Sequence, residues 1–462
     1  MRRVSVVITA VLFSLPGLAQ SPAVVAELPS APVAAGLNLS AQNVQAGAAP
    51  VLPPQDQLTR AQAEQMALKN NPRISVSRLL AMAQHQVVRE TRSAELPTAN
   101  GNITALKALD ASRISAGSLT ASRLLTHAGA GASVTQLITD FGRTHNLVLA
   151  QKLQERAASA DTLATQEEIV LATDQAFYDA LTAQAVLQVA KQTVATRHAT
   201  ESQVNQMTQN KLRSTLDLSF ADVNLSESQL LQLDARNNAD ATMAALDAVL
   251  GLDHEITYEL VDDSSPTDAP PGNYDQLIQS ALARRPDLQA RVLGQQSAQK
   301  FVRAQWDQLL PSISALSTIG SVPVRTDEYY TANWWGAVGV NLSIPIFNGF
   351  LYSSEAKEAA YRSRADAERA RDLRDQIVRD VRTAWLQANT AYQRIGVTAQ
   401  LLQEANLSLQ LAQTRYQLGL SSIVELSQAQ LQQTSAAIDN TNAQYQYRLS
   451  LAALNYQIGA TP

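Results

Sequence analysis

The sequence predicts a mainly α-helical chain that carries part of a membrane β-barrel, in a protomer built by tandem duplication. Three observations predict this. Long stretches lack helix breakers, two separated regions carry strand-like alternation, and motifs from the first half recur in the second at nearly constant offset.

The breaker pattern comes first. No proline occurs between residues 98 and 265 or between 346 and 461, and no glycine between 143 and 250. Proline removes a helix N–H and clashes with the preceding turn, and glycine costs backbone entropy. A 108-residue span free of both therefore reads as helix with at most one tight reversal. From Arg143 to about Asn205 the chain reads as a single helix, about 95 Å long at 1.5 Å per residue. Such a length suits a coiled coil or a tube of helices.

The duplication is read from three matches. Pro72 and Leu96-Pro97 correspond to Pro286 and Leu310-Pro311 at an offset of 214. STLDLSFADV (214–223) corresponds to SIVELSQAQL (422–431), and AALDAVLG (244–251) to AALNYQIG (452–459), both at an offset of 208. The change of offset marks a small deletion. The expected boundaries are a first repeat over 57–253, a linker over 254–275 that includes DDSSPTDAPPGN, and a second repeat over 276–462. A period of this size is a duplicated domain and not a short solenoid unit.

Each repeat carries a non-helical part between its Leu-Pro and a Phe-Gly or Phe-Asn-Gly. In WWGAVGVNLSIPIF (334–347), Trp334, Val338, Val340, Leu342, Ile344 and Ile346 share one face, with Gly339, Asn341 and Ser343 on the other. A period of two over about ten residues matches a membrane-crossing strand, apolar toward lipid and polar toward a lumen. Its partner is PSISALSTIGSV (311–322). Tyr329, Tyr330, Trp334 and Trp335 supply a candidate aromatic girdle. The first repeat has weaker strands over 97–109 and 131–141, where Val134 and Ile138 keep phase and Gln136 breaks it; its connecting loop, 110–130, is the longer of the two. The competing reading is an ordinary surface hairpin.

Four strands cannot close a barrel, and an open edge has no partner in lipid. Closure requires several copies. Three copies give a barrel of about twelve strands and two give about eight, and the smaller leaves little lumen. A homotrimer in outer-membrane lipid is therefore expected, its four helical columns per chain forming a tube.

Composition removes other classes. The chain has 462 residues, a net charge of −5 and no cysteine. Disulfides, zinc–thiolate sites and cysteine catalysis are excluded, and nothing in the charge supports nucleic-acid binding. Five scattered histidines form no metal-ligand pair, no phosphate-binding loop is present, and no cofactor is expected. No enzyme activity is expected, because no paired acid–base constellation occurs. Arg2 and Arg3 ahead of the apolar run Val4–Leu15 and Gly17-Leu18-Ala19 predict an export signal over 1–19. The alanine- and proline-rich 20–56 reads as an extended arm.

The reversals at the far end of the helices carry the candidate site. RYQLGLSSIVEL (415–426) pauses at Gly419, and Ser422 with Glu425 forms a capping box for the returning helix. Ser214 and Asp217 take the same place in the first repeat, less well matched because aspartate is shorter. Lys211 stands where the second tip has glycine.

Together these pieces resemble the TolC family of outer-membrane efflux channels, over roughly residues 57–462. The carriers are the two-fold repeat, each Leu-Pro, SIPIFNG (343–349), the turn RYQLGLSSIVEL, and AALNYQIG. The resemblance implies a homotrimer with a 12-stranded outer-membrane barrel, a long periplasmic α-barrel and an equatorial belt that includes the linker. It implies an exit duct in the Gram-negative outer membrane that serves a tripartite efflux or secretion system, passively conducting small toxic compounds. The partners implied are a periplasmic adapter and an inner-membrane pump. By position, Tyr416, Asp217 and Glu425 match residues of the closing aperture, and Gly419, Leu420, Ser421 and Ser422 the surface that adapter hairpins grip. Ser421 replaces a basic residue found in some members, and Gln428 a second acidic one. Arg213 is the expected substitute cation for Asp217 or Glu425. A periplasmic coiled-coil scaffold without channel activity is the alternative reading.

Overall fold

The structure is a computed structural model that describes residues 57–107, 127–252, 258–262, 268–323 and 329–460. The expected export signal (1–19), the arm (20–56), most of the first hairpin loop and part of the linker lie outside the described residues.

The elements in chain order are β1 (Gln57–Leu58), α1 (Arg60–Asn70), α2 (Pro72–Ser93), β2 (Thr98–Leu106), β3 (His127–Thr139), α3 (Arg143–Gln209) and α4 (Thr215–Leu250). There follow β4 (Glu259–Leu260), α5 (Tyr274–Arg284), α6 (Pro286–Asp307), β5 (Ser312–Ser321), β6 (Trp335–Ser343), α7 (Leu351–Gln417) and α8 (Ile423–Gln457). First residues of equivalent elements differ by 214 from α1/α5 to β2/β5, and by 208 from β3/β6 to α4/α8. The six-residue length difference therefore falls inside the hairpin connection, between the two strands.

The long helices α3 and α7 each have 67 residues, about 100 Å at 1.5 Å per residue. Buried residues, most of them small, recur along the four helices in steps of seven. On α7 these are Ile377, Ala384, Ala391, Thr398, Ala405 and Ala412; on α8, Ala429, Ala436, Ala443 and Ser450. On α3 the series includes Ala183, Ala190, Arg197 and Val204, and on α4 Ala221, Ser228 and Ala235. A strict seven-residue repeat supercoils helices left-handed, and alanine lets their axes approach closely.

The shorter helices stack end to end to match the long ones. Asn71, which caps α2, also donates its side-chain amide to the Val249 carbonyl at 2.9 Å, so α4 abuts the α1–α2 corner. Arg285 reaches Gln457 at 2.6 Å and joins α8 to the α5–α6 corner in the same way. The parallel pair β1–β4 sits at this level, with Leu58 and Leu260 packed into a core of Ile74, Ile169, Phe177, Leu246 and Leu250. Tyr447 donates to the Asp268 carbonyl, and Arg448 and Tyr445 meet Asp262, so α8 holds the linker against the column.

The four longer strands form one antiparallel sheet in the order β2-β3-β5-β6, with β2 and β6 at the edges. Their limits differ from those read in the sequence. β2 ends at Leu106, short of 109. β3 begins at His127, so 127–130 belong to the strand and not to the loop, and it ends at Thr139, short of 141. β6 stops at Ser343, short of 347, because its last partner is Ser312, which follows Pro311 and its missing N–H. Register carries one face across the whole sheet: Val340 lies opposite Ala315, Ala315 opposite Gln136, Val338 opposite Ser317, Ser317 opposite Val134 and Val134 opposite Ala99. Val338 and Val340 are 85% and 68% exposed on that face. The other face carries Asn341, Ser314, Thr318, Ser133, Asn100 and Asn102. Gln136 breaks the apolar phase at the helix-proximal end, where its amide donates to the Glu95 and Leu137 carbonyls at 2.8 Å each. Among the described residues no helix is long and apolar enough to cross a membrane.

Candidate functional site

The candidate site is the pair of reversals at the end of the molecule opposite the sheet. Both helix ends use one backbone solution. At the second tip, Leu420 N–H donates to the Arg415 carbonyl at 2.8 Å and Gly419 N–H to the Tyr416 carbonyl at 3.0 Å. At the first, Leu212 N–H donates to Met207 at 2.8 Å and Lys211 N–H to Thr208 at 3.0 Å. This pairing satisfies carbonyls left over at a helix end and needs a left-handed residue just past it. Gly419 supplies that residue at φ 73°, and Lys211 at φ 60°. The lysine pays for its side chain: the left-handed region crowds a Cβ, at about 1 kcal/mol.

The caps differ from the sequence expectation. Ser214 and Asp217 form the complete reciprocal capping box of α4, the Ser214 oxygen accepting from Asp217 N–H and the Asp217 carboxylate from Ser214 N–H. At the second tip Ser422 accepts from Glu425 N–H at 3.3 Å, and the Glu425 carboxylate lies instead 3.2 Å from Arg415 Nε. The longer side chain reaches across the turn to the cation, where the aspartate is too short to leave its own cap.

Arg213 also departs from expectation. Within one protomer the ion-pair partner of Glu425 is Arg415, on its own hairpin. The Arg213 guanidinium stacks on Tyr416, 4.3 Å from the ring centroid, and donates to the Tyr416 carbonyl at 2.5 Å. Tyr416 is 2% exposed and packs with Val204, Ala221, Ala412, Ile423 and Leu426, drawn from all four helices. Its hydroxyl is buried without a partner among the described residues. Burial raises its pKa, the Asp217 carboxylate adds to the rise, and Arg213 opposes it. Asn224 on α4 and Ser427 on α8 add a 2.8 Å hydrogen bond between the two hairpins. Farther up, buried Arg197 on α3 bonds Gln430 on α8, which in turn donates to Thr200 at 3.1 Å. Burial lowers the Arg197 pKa, and Glu227 of α4 opposes that shift. Sequence reading missed Arg197 and Arg415; the sign available for Arg197 was a lone arginine in a heptad position otherwise filled by small or apolar residues.

Around the turns, Leu212, Leu216, Leu418, Leu420 and Val424 are exposed, while the Ser421 hydroxyl is buried and unpartnered among the described residues. At the sheet end, Tyr329, Tyr330 and Trp334 are exposed just ahead of β6. Trp335 opens β6 opposite Gly320, on the face of Gly339 and Asn341 and not on that of Val338 and Val340.

A four-stranded sheet with one largely apolar face, carried on helices of about 100 Å that end in joined tips, has the architecture of one protomer of an outer-membrane duct. The outer membrane efflux protein family model matches residues 63–252 and 277–460, and the chain belongs to that family. It is 25% identical over 351 residues to the outer membrane protein TolC of Escherichia coli K12, covering 71% of this chain and 69% of that one. It is 24% identical over 344 residues to TolC of Salmonella enteritidis, covering 71% and 68%. Among solved structures, the outer membrane protein VceC of Vibrio cholerae superposes with a TM-score of 0.72 at 18% identity, covering 87% of this chain and 96% of the other. The CmeC outer membrane channel of Campylobacter jejuni superposes with a TM-score of 0.76 at 17% identity, covering 87% and 85%. This is an outer-membrane efflux channel of the Gram-negative envelope, TolC-like in fold. The scaffold alternative is thereby set aside.

Proposed function

We propose that three copies of the chain assemble into one continuous duct, with a 12-stranded barrel in the outer membrane and a helical tube in the periplasm. The observation that carries this reading is the open sheet, whose β2 and β6 edges have no strand partner among the described residues while one face is largely apolar, interrupted at Gln136 and Ser317. Lipid offers no hydrogen bonds, so each β2 must find a β6 of the next copy. The helices support the same closure. Leu216, Phe220, Val223 and Leu230 form an uncovered stripe on α4, and Val397, Leu401 and Leu411 another on α7 that continues to Leu418 at its C-cap. Two different stripes meeting head to tail close into a ring.

In this reading the joined tips are the periplasmic aperture. Tyr416 with Arg213 locks the two hairpins of each copy, and Asp217 and Glu425 ring the opening. Gly419, Leu420, Ser421 and Ser422, with the exposed leucines beside them, receive a periplasmic adapter, and an inner-membrane pump supplies the energy. The signal over 1–19 directs export, and Tyr329, Tyr330 and Trp334 meet the membrane interface. The cargo is small toxic compounds. A matched relative, the alkaline protease secretion protein AprF of Pseudomonas aeruginosa, is named for secretion and keeps a polypeptide cargo as the second reading. Planar-bilayer recording of the purified protein tests conduction, and drug-susceptibility profiling of a deletion strain tests cargo. A protein that adds no conductance at any voltage, with unchanged susceptibility on deletion, overturns the proposal.

A further inference from the structure

Where α1 docks on α3, two carboxyl groups share one cation. Arg60 Nη1 lies 2.7 Å from Glu64 Oε1 on its own helix and 3.3 Å from Asp174 Oδ2 on α3. The Glu64 and Asp174 side chains are 9% and 5% exposed, among Ala63, Ala67, Ile74 and Phe177. With both carboxyls ionised the buried cluster carries one uncompensated negative charge. Asp174 Oδ1 is moreover buried with no hydrogen-bond partner among the described residues. Burying an unpaired charge and an unmet acceptor are both costly. One proton corrects both faults, supplying the missing donor and balancing Arg60.

We infer that Asp174 holds a proton, hydrogen-bonded to Glu64, and that this proton clamps α1 to α3, tightening the belt region of the channel as its surroundings acidify. Burial, then the hydrogen bond and charge of Glu64, push Asp174 up to about 7, against the pull of Arg60. The titratable groups that face the pair come from α1, as Arg60 and Glu64, with Tyr178 of α3 adding to the field at Arg60. On the other elements packed against α3, Arg73 of α2 pairs with Glu168, Asp247 of α4 bonds Tyr258, Asp287 of α6 pairs with Arg285, Arg291 of α6 acts on Asp161, and Arg448 of α8 pairs with Asp262.

The duplication provides an internal comparison. At the repeat offsets Arg60, Glu64 and Asp174 correspond to Tyr274, Ile278 and Arg382. There the Arg382 guanidinium lies 5.6 Å from the Tyr274 ring centroid, so a cation–π contact stands where the first repeat has its carboxyl pair.

The direction follows from linkage. The folded pKa lies above the unfolded value, so the proton's contribution is complete below about pH 4 and is lost as pH rises to about 7. Hydrogen exchange on the full-length protein in detergent tests this, comparing α1 amides at about pH 5.5 and about pH 8 after correction for intrinsic rates. The expected result is α1 protection greater at the acid pH on the order of tenfold. Helix α5 of the same molecule should not change, and Asp174→Asn should abolish the α1 difference. Equal responses of α1 and α5, or a response retained in Asp174→Asn, overturn the inference. If Asp174→Asn does not fold, infrared spectroscopy replaces it. The wild type should show a protonated-carboxyl band at about pH 6 that Glu64→Gln removes; its absence from the wild type overturns the inference equally.

Discussion

The Arg213 guanidinium stacks on the Tyr416 ring at 4.3 Å and donates to the Tyr416 carbonyl at 2.5 Å, joining the tip of one helical hairpin to the other in the same chain. Tyr416 follows nearly the whole length of α7, and Arg213 lies in the turn between α3 and α4. The contact therefore makes both tips of a protomer move together.

Arg213→Ala tests that coupling. A cation–π contact and a charged hydrogen bond together contribute about 2 kcal/mol, so their loss should favour the splayed tip by more than about tenfold. Single-channel recording should show a larger resting conductance. A conductance equal to that of the wild type would show that the two tips are held together by other contacts.

Glu425 is exposed at the turn and paired with Arg415. Glu425→Ala removes one carboxylate per copy from the proposed ring and leaves Arg415 uncompensated. Cation selectivity should fall, seen as a shift of reversal potential under a salt gradient. An unchanged reversal potential places Glu425 away from the conduction path.

The two turns give opposite expectations from one backbone geometry. Lys211→Gly should stabilise the first tip by about 1 kcal/mol, because glycine occupies the left-handed region without a Cβ penalty. Gly419→Ala should destabilise the second by a similar amount. A Cβ there meets no atom within 4 Å, so strain alone is expected. Protease susceptibility of the tips reads both changes, and matching signs for the two variants would refute the assignment of strain.

The two faces of β6 are separable. Val340→Arg puts a charge on the proposed lipid face and should cost about 2–4 kcal/mol of insertion, depleting the outer-membrane fraction. Asn341→Arg on the other face should fractionate as the wild type does. Equal depletion by both would remove the lipid-facing assignment.

The helices were legible because their signal is cumulative: a 108-residue span without glycine or proline leaves the backbone few alternatives. The repeat was legible because the offsets of 214 and 208 recur in the element pairs from α1/α5 to α4/α8. Strand limits were less so, since Pro311, just ahead of β5, decides where β6 loses its partner, and one strand read alone does not reveal this. The strands β1 and β4 have two residues each and carry no periodicity to read. At the tips the residue types were visible but their pairing was not. Glu425 has the capping-box spacing and spends its carboxylate on Arg415, whereas Asp217 has the shorter side chain and completes the box. Which acceptor wins depends on how the chain after Gly419 folds back past Arg415, a relation in space and not in sequence.

Native mass spectrometry of the detergent-extracted protein tests the central claim most directly, because it counts the chains that satisfy the β2 and β6 edges. The account predicts particles of three chains, dissociating only when the sheet unfolds. A particle of one or two chains would contradict it.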